Sequence, residues 1–121
     1  MVDSSWAALE RHLSYTFKDH KNLQKALTHK SFVSADKGFN NEKLEFLGDA
    51  VVDLVFSEWL HAQFLNEDEG TLSKKRASLV NETVLSDVAL ELKLDQLLIM
   101  GKGEIKSDGA RNPRILASVF E

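Results

Sequence analysis

The longest apolar segment of the chain opens with the stretch Asn41-Glu42-Lys43-Leu44-Glu45-Phe46-Leu47-Gly48-Asp49-Ala50-Val51-Val52-Asp53. An α-helix turns about 100° per residue, so the four acids of this stretch fall within an arc of about 80°. These acids are Glu42, Glu45, Asp49 and Asp53. Apolar residues occupy most of the remaining circumference, which predicts a helix from about Asn41 to about Leu65 that is buried on most sides.

A row of acids on a buried helix needs an explanation. Like charges in a poorly polar environment raise one another's pKa unless a cation neutralises them. A divalent metal ion is the simplest candidate, because Asp and Glu supply the hard oxygen ligands that Mg²⁺ prefers. The alternative is a solvated acidic face on an ordinary amphipathic helix. The residues by themselves leave both interpretations open.

Length and composition are those of an ordinary globular protein. The 121 residues are enough for one domain, which we expect to span residues 1–121. A hydrophobic content of 43% with 28% charged residues argues against disorder. The absence of cysteine excludes disulfides and thiolate metal sites. No apolar run reaches the length of a membrane span and the N-terminus has no signal-peptide core, so a cytoplasmic protein without a membrane partner is expected.

Helical spacing recurs along the chain, and no stretch alternates with period two for long enough to predict a strand. A first helix is predicted by apolar residues three and four apart, namely Trp6, Leu9, Leu13 and Phe17. Asp3 or Ser4 can cap it. A short second helix is expected from Asn22 to His29, followed by a loop over residues 31–40. The sequence therefore predicts an all-α fold.

The second half of the chain carries clear helix start signals. Asn81 is a plausible cap between two helices, and Asn112 followed by Pro113 predicts the start of a last helix. The net charge of −4 is unusual for a nucleic-acid-binding protein, unless the acids are concentrated at a metal site. The four histidines are scattered, and His29 has no second His or Cys at ligand spacing, so we interpret it as a structural residue.

The stretch Asn-Glu-Lys-Leu-Glu-Phe-Leu-Gly-Asp-Ala at residues 41–50 resembles the signature of the ribonuclease III family, the Mg²⁺-dependent endonucleases that cut double-stranded RNA. The resemblance extends to residues 26–32, 76–81 and 101–104 and so covers nearly the whole chain. It implies the ribonuclease III endonuclease-domain fold, a helical bundle around one central buried helix. It also implies Mg²⁺ as cofactor, for which Mn²⁺ can substitute, and hydrolysis of duplex RNA, such as ribosomal RNA precursors, to 5′-phosphate and 3′-hydroxyl ends.

The resemblance assigns the site residue by residue. Glu45, Asp49 and Glu121 match the family's metal-binding carboxylates, and Asp49 and Glu121 match its catalytic acids. The family pattern of the last helix is Ile-Leu-Ala-Asp, two further residues and Glu, whereas this chain has Ser118 in place of the Asp. A hydroxyl removes one negative charge and is a weak ligand that acts at best through water. The alternative is therefore a catalytically impaired relative that serves as a dimerising, RNA-binding or ribosome-associated module.

Further residues are expected to support RNA binding. Glu42 is a supporting acid that faces the duplex or lies behind the metal ligands. The basic cluster Lys74, Lys75 and Arg76 spreads over about 200° of a helix, so we expect only one or two of its members to contact phosphate. Lys102 is included among the RNA-facing residues, and residues 105–114 are expected to form a mobile surface loop that can lie along RNA.

The resemblance also predicts assembly and domain organisation. Family members form symmetric homodimers across the central helix, which implies a dimer interface at Phe46 and Leu47. Bacterial members carry a double-stranded-RNA-binding domain after the nuclease domain, and these 121 residues contain none. We therefore expect a nuclease domain that is truncated at its C-terminus.

Overall fold

The computed structural model of the chain describes residues 4–33 and 36–121. Its α-helices are α1 (Ser4–Leu13), α2 (His20–Leu27), α3 (Glu42–Gln63), α4 (Glu69–Leu79), α5 (Glu82–Glu91), α6 (Lys102–Lys106) and α7 (Pro113–Phe120). Single 3₁₀ turns lie at Leu94–Gln96 and Gly109–Arg111. Within these ranges the extended pairing is limited to an isolated parallel bridge between Thr28 and Ile99. The all-α prediction is confirmed, and no described helix is long and apolar enough to cross a membrane.

The predicted helix caps of the second half are confirmed. The Asn81 side chain accepts the Val84 N–H at 3.0 Å at the start of α5. The Asn112 side chain accepts the Arg114 N–H at 2.9 Å, and Pro113 takes the first position of α7, where its missing N–H has no cost. The expected caps of α1, Asp3 and the side chain of Ser4, lie outside the described part of the chain.

Helix boundaries in the first half differ from those expected. Helix α1 ends at Leu13, before Ser14 with a φ of 53°, so Phe17 packs on the core from the loop. Helix α2 begins earlier than expected, because Asp19 caps it by accepting the Lys21 N–H at 2.9 Å. It ends at Leu27 because Thr28 turns into the bridge with Ile99.

The expected loop at residues 105–114 is instead partly helical. The Ile105 N–H donates to the Gly101 carbonyl at 3.1 Å and the Ser107 N–H to the Gly103 carbonyl at 3.0 Å, which forms α6. A 3₁₀ turn follows, and its Gly109 is buried. The prediction of a loop was wrong for residues 105–106 and 109–111, where local backbone hydrogen bonds form helical turns, and the expected mobility of this exposed segment stays a prediction.

The core lies where α1, α2, α5 and α7 meet. Its fully buried apolar residues are Leu9, Leu23, Leu27, Ala89, Leu94, Leu116 and Val119. Helix α7 buries Ile115, Leu116, Ala117 and Val119, so it is held on its apolar side. This packing fixes the rotation of α7 and thereby the direction in which Ser118 and Glu121 face.

Helix α3 is far less buried in the single chain than its sequence predicts. Leu60 is the one fully buried residue among those described on α3. The exposed fractions of its large apolar side chains are 83% at Phe46, 60% at Leu47, 51% at Val51, 67% at Leu54, 56% at Val55 and 50% at Trp59. The expectation of a helix buried on most sides is therefore wrong for one protomer. A contiguous apolar face of this kind is typical of an association surface.

Helix α3 meets the end of α7 at Gly48. A β-carbon built on Gly48 would overlap the carbonyl group of Glu121. The glycine is therefore required for the close approach of the two helices rather than for an unusual backbone conformation, since no glycine among the described residues has a positive φ. This contact places the last turn of α7 directly beside the acids of α3.

We predict that Gly48→Ala destabilises the chain. Alanine improves helix propensity by about 1 kcal/mol, but the overlap costs about 1–3 kcal/mol or more, because the atoms it meets are backbone atoms of Glu121 and not the far end of a flexible side chain. Urea denaturation should show a net loss of stability. Gly70→Ala on α4 is the matched control, since its β-carbon would meet nothing closer than an Asp68 oxygen at 3.8 Å. Equal stability of Gly48→Ala and the parent would contradict the contact.

Candidate active site

The predicted acids line one groove between α3 and α7. Its volume is about 260 Å³. Helix α3 contributes Glu45 and Asp49 and helix α7 contributes Ser118. Glu121 follows directly after α7, and the start of α5 closes one side. Glu121 lies three residues after Ser118, so both fall on the face of α7 opposite its buried apolar side. The structure thus brings into one groove the four residues that the family resemblance assigns to a metal site.

The electrostatics of the groove are seen most clearly at Glu121. Partial burial is the largest cause that raises the pKa of Glu121, and the whole environment raises it to about 7 from an ordinary 4.5. A hydrogen bond between the Glu121 and Asp49 side chains raises the pKa further, as does the negative charge of Asp49, Glu45 and Asp53. The acids of the α3 stripe therefore act on Glu121 as a repulsive cluster.

An apolar cavity adjoins the acids and accounts for the poor solvation. Its volume is about 250 Å³, and Glu45, Ser118 and Glu121 lie among its lining residues. Most of the rest of its wall is apolar and comes from α1, α2, α3 and the segment after α5, with Leu9, Leu13, Leu23, Leu27, Leu44, Leu92 and Leu94. Negative charge beside such a wall is stabilised less by water than charge on an open surface.

The acid set fits a divalent cation in its chemistry. Glu45, Asp49 and Glu121 supply oxygen donors, and the raised pKa of Glu121 records a repulsion that a bound cation would remove. Within residues 4–33 and 36–121, however, no group of three or more His, Cys, Asp or Glu side chains is gathered closely enough to hold a metal ion as it stands. Binding would therefore require the side chains to turn towards the ion.

The other residues expected to bind RNA occupy different positions. Glu42 is exposed at the first turn of α3 and lines a neighbouring groove. Arg76 donates from Nη1 to the Ser57 hydroxyl at 2.8 Å, and the Nζ atom of Lys75 lies 4.3 Å from the centre of the Phe64 ring. Both cations are thus directed at α3 and its end. Lys74 and Lys102 are exposed, and contact of any of these cations with RNA stays a prediction.

A second groove beside the acids contains residues that the sequence analysis did not assign. It has a volume of about 270 Å³ and is lined by His29, Lys30, Asn41, Glu42, Glu45, Arg114, Ile115 and Ser118. His29 was interpreted as structural because no other ligand lies near it in the sequence. The signal that could have revealed it is its position in residues 26–32, which belong to the family resemblance.

Comparisons with known proteins agree with this geometry. A sequence model of the Ribonuclease-III-like family matches residues 19–121. Ribonuclease 3 of Bdellovibrio bacteriovorus is 51% identical over the whole chain and over 53% of its own length. Ribonuclease 3 of Methylococcus capsulatus is 49% identical over 93% of the chain and 47% of its own length. The chain therefore belongs to the ribonuclease III family, and it spans about half the length of the curated relatives it matches.

A solved structure confirms the fold. It is the nuclease domain of ribonuclease III from Campylobacter jejuni, described for structural flexibility in the region involved in dimer formation. It matches with a TM-score of 0.88 and 46% identity, over 93% of this chain and 77% of its own. The helical fold of the chain is that of a ribonuclease III nuclease domain.

We predict a pH dependence of stability that originates at Glu121. The unfolded chain releases this proton near pH 4.5 whereas the folded chain keeps it to about pH 7, so the folded state binds more protons between these values. The free energy of unfolding should therefore fall as the pH rises from about 4.5 to about 7. The folded chain has the full benefit of a protonated Glu121 only below that range. Solvent reaches this partly buried site and screens part of the repulsion, so the fall is small.

The measurement is denaturation of the parent and Glu121→Gln across this pH range in metal-free buffer. Glutamine keeps the size of the side chain but does not titrate, so the difference between the two proteins isolates the contribution of Glu121. Glu91→Gln, at an exposed position on α5, is the control for loss of one acid elsewhere. Parallel stability curves for the parent and Glu121→Gln would contradict the repulsive cluster.

Proposed function

We propose that residues 1–121 form the nuclease domain of a ribonuclease III-type endoribonuclease that hydrolyses double-stranded RNA to 5′-phosphate and 3′-hydroxyl ends. The observation that carries the proposal is the meeting of Glu45 and Asp49 on α3 with Glu121 on α7, held by the Gly48 contact. Membership of the family supports the reaction, and ribosomal RNA precursors are a fitting class of substrate.

Mg²⁺ is the proposed cofactor, and Mn²⁺ would substitute for it. Glu45, Asp49 and Glu121 would hold the ion, which when bound supplies an activated water and neutralises charge on the phosphodiester. The chain contributes by placing two of the carboxylates on α3 and the third at the end of α7, and their side chains would turn towards the ion on binding. The apolar wall behind them limits access of bulk water and strengthens electrostatic interactions in the groove.

Ser118 lowers the charge of the site but leaves it usable. It lines the groove beside Glu121 and is only partly buried, so a water molecule can lie between its hydroxyl and an ion. With three acids remaining, the affinity for metal should be lower than in relatives with Asp here. The same substitution is the feature that favours the second candidate, an RNA-binding or dimerising module without catalysis.

We further propose that the domain acts as a symmetric homodimer through the exposed face of α3. Phe46 is 83% exposed and Leu47 60% exposed in the single chain, which is unusual for large apolar side chains. The Campylobacter jejuni relative is described in terms of a region involved in dimer formation. A twofold dimer would cover the same apolar face on both protomers and place two active sites on one duplex.

Loss of Asp49 should abolish cleavage. Asp49→Asn keeps the size of the side chain but removes a charged metal ligand, so Mg²⁺-dependent cleavage of a long RNA duplex should fall by at least a hundredfold. Asp87→Asn on α5 is the matched control, because Asp87 is equally exposed and lies outside the grooves that the acids line. Gel analysis of labelled duplex over a Mg²⁺ series gives the rates.

The same experiment separates the two candidate functions. Cleavage by the parent that is insensitive to Asp49→Asn would refute the assignment of the site. A parent that binds duplex RNA but cuts none at any Mg²⁺ concentration would establish the non-catalytic module. In that case Ser118→Asp, which restores the family's fourth acid, should produce cleavage.

Truncation of Phe46 should weaken the dimer. Phe46→Ala removes a contact worth about 3 kcal/mol or more when the ring is fully buried, and a twofold interface contains it twice. The dissociation constant should rise by at least a hundredfold, since each 1.4 kcal/mol is a factor of about ten. Sedimentation equilibrium over a concentration series measures it.

The control for Phe46→Ala is Ile105→Ala, which truncates another exposed apolar side chain, 61% exposed, on α6 and so away from the face of α3. It should leave the dissociation constant unchanged. A parent that stays monomeric at every concentration would refute the dimer outright.

A further inference from the structure

His29 is held rigidly at the edge of the second groove. Its N–H donates to the Ile99 carbonyl at 2.8 Å and its carbonyl accepts the Phe32 N–H at 3.0 Å. The imidazole Nδ1 atom lies 3.1 Å from the Ser31 backbone nitrogen and 2.8 Å from the Ser31 hydroxyl. That hydroxyl in turn accepts the Gly101 N–H at 2.9 Å. The ring is therefore fixed by contacts to two separate segments of the chain.

These contacts determine which nitrogen of the neutral ring carries the proton. A backbone N–H can only donate, so Nδ1 of His29 must accept the hydrogen bond from the Ser31 N–H. The Ser31 hydroxyl accepts from Gly101 and lies 2.8 Å from the same Nδ1 atom, so in this tautomer its proton would share the single Nδ1 lone pair with the Ser31 N–H. The neutral imidazole then bears its proton on Nε2, and Nε2–H is a hydrogen-bond donor.

The Nε2–H group is free to meet a ligand. Among the described residues, none forms a hydrogen bond with Nε2 of His29. Every described side-chain nitrogen or oxygen that is buried does have a partner, so Nε2 must be in contact with solvent. His29 lines the groove that also contains Glu45 and Ser118 of the acid site. Lys30 and Arg114 line the same groove beside two acids and offer cationic donors to an anionic group, although Arg114 also lies 4.0 Å from a Glu82 oxygen.

We propose that the His29 Nε2–H donates a hydrogen bond to a non-bridging phosphate oxygen of the RNA backbone, next to the phosphodiester that is cut. The inference rests on the proposed function and adds a substrate-binding residue to it. Ser31 and Gly101 act as positioning residues, because they hold the tautomer that has the donor on the groove side. His29 thereby fixes the register of the RNA strand against the acid site.

Two substitutions separate this role from a structural one. In His29→Asn the side-chain oxygen can still accept the Ser31 N–H, but the groove donor is lost. In His29→Gln the amide nitrogen reaches the position of Nε2, but the acceptor for Ser31 is lost. We expect kcat/KM for duplex RNA to fall about tenfold to a hundredfold in His29→Asn, mainly through a higher KM, with a melting temperature close to that of the parent.

The Gln variant should show the opposite pattern. It should melt at a lower temperature than the parent but cleave more efficiently than His29→Asn. If the role of His29 is only to support the loop, the order of the two variants in cleavage reverses, and the proposal is wrong. Measurement of both melting temperature and kcat/KM keeps a folding defect from being mistaken for a binding defect.

Nuclear magnetic resonance provides a readout that does not depend on cleavage. The ¹⁵N-histidine-labelled chain in an Asp49→Asn background is titrated with a short blunt-ended RNA duplex in Mg²⁺. In the free protein the His29 shifts should be those of the Nε2–H tautomer, and the Nε2 resonance should move on addition of RNA. His12, His20 and His61 lie on α1, α2 and α3, outside this groove, and serve as internal controls.

The outcomes distinguish the role of His29 from the proposed function of the whole domain. If the backbone amides of α3 and α7 respond to RNA but His29 Nε2 does not, the proposal for His29 is overturned and the proposed function stands. If neither responds and the parent cuts no RNA, the proposed function itself fails and the role of His29 fails with it. A protonated Nδ1 in the free protein would overturn the proposal directly.

Discussion

The close contact between Gly48 and the carbonyl of Glu121 is the constraint on which the site depends. Helix α7 is anchored by its own buried face, and Gly48 of α3 lies against the residue that follows α7, where a side chain would overlap the backbone. One turn of each helix then faces the other across a groove of about 260 Å³. The contact brings Glu121 beside the acids of α3 in a partly buried position, and burial together with the neighbouring Asp49 raises the pKa of Glu121.

Much of this fold is encoded locally and could be predicted. Asn81 and Asn112 are caps because their short side chains accept backbone N–H groups within the same turn. The acid stripe of α3 follows from helical periodicity alone.

Two expectations failed for reasons that lie outside single helices. The apolar residues of α3 predict that one face of the helix is buried, but they do not show whether the same chain or another molecule covers it. Residues 102–111 are rich in turn formers, yet tertiary packing stabilises short helices there.

The candidate site could be predicted only in the part that lies on helices. Spacing places Glu45 and Asp49 on one face, and the family pattern adds Ser118 and Glu121. The second groove is built by segments distant in sequence, and no local pattern connects His29 with Arg114. A histidine with no ligand residue near it in the sequence is usually structural, and the hydrogen bonds of His29 with Ser31 do stabilise the local backbone. What the sequence cannot show is that these same contacts leave the other ring nitrogen without a protein partner in a residue that lines the groove beside the acids.

The bridge between Thr28 and Ile99 has a consequence for the order of assembly. Two backbone hydrogen bonds join these segments, from His29 N–H to the Ile99 carbonyl and from Ile99 N–H to the Leu27 carbonyl. They connect the first quarter of the chain to its last quarter, so a large loop must close before either can form. Exchange of the His29 and Ile99 amide protons with solvent therefore reports on the opening of this long-range contact. During synthesis, neither hydrogen bond can form before Ile99 has emerged, and the groove residues contributed by α7 emerge later still.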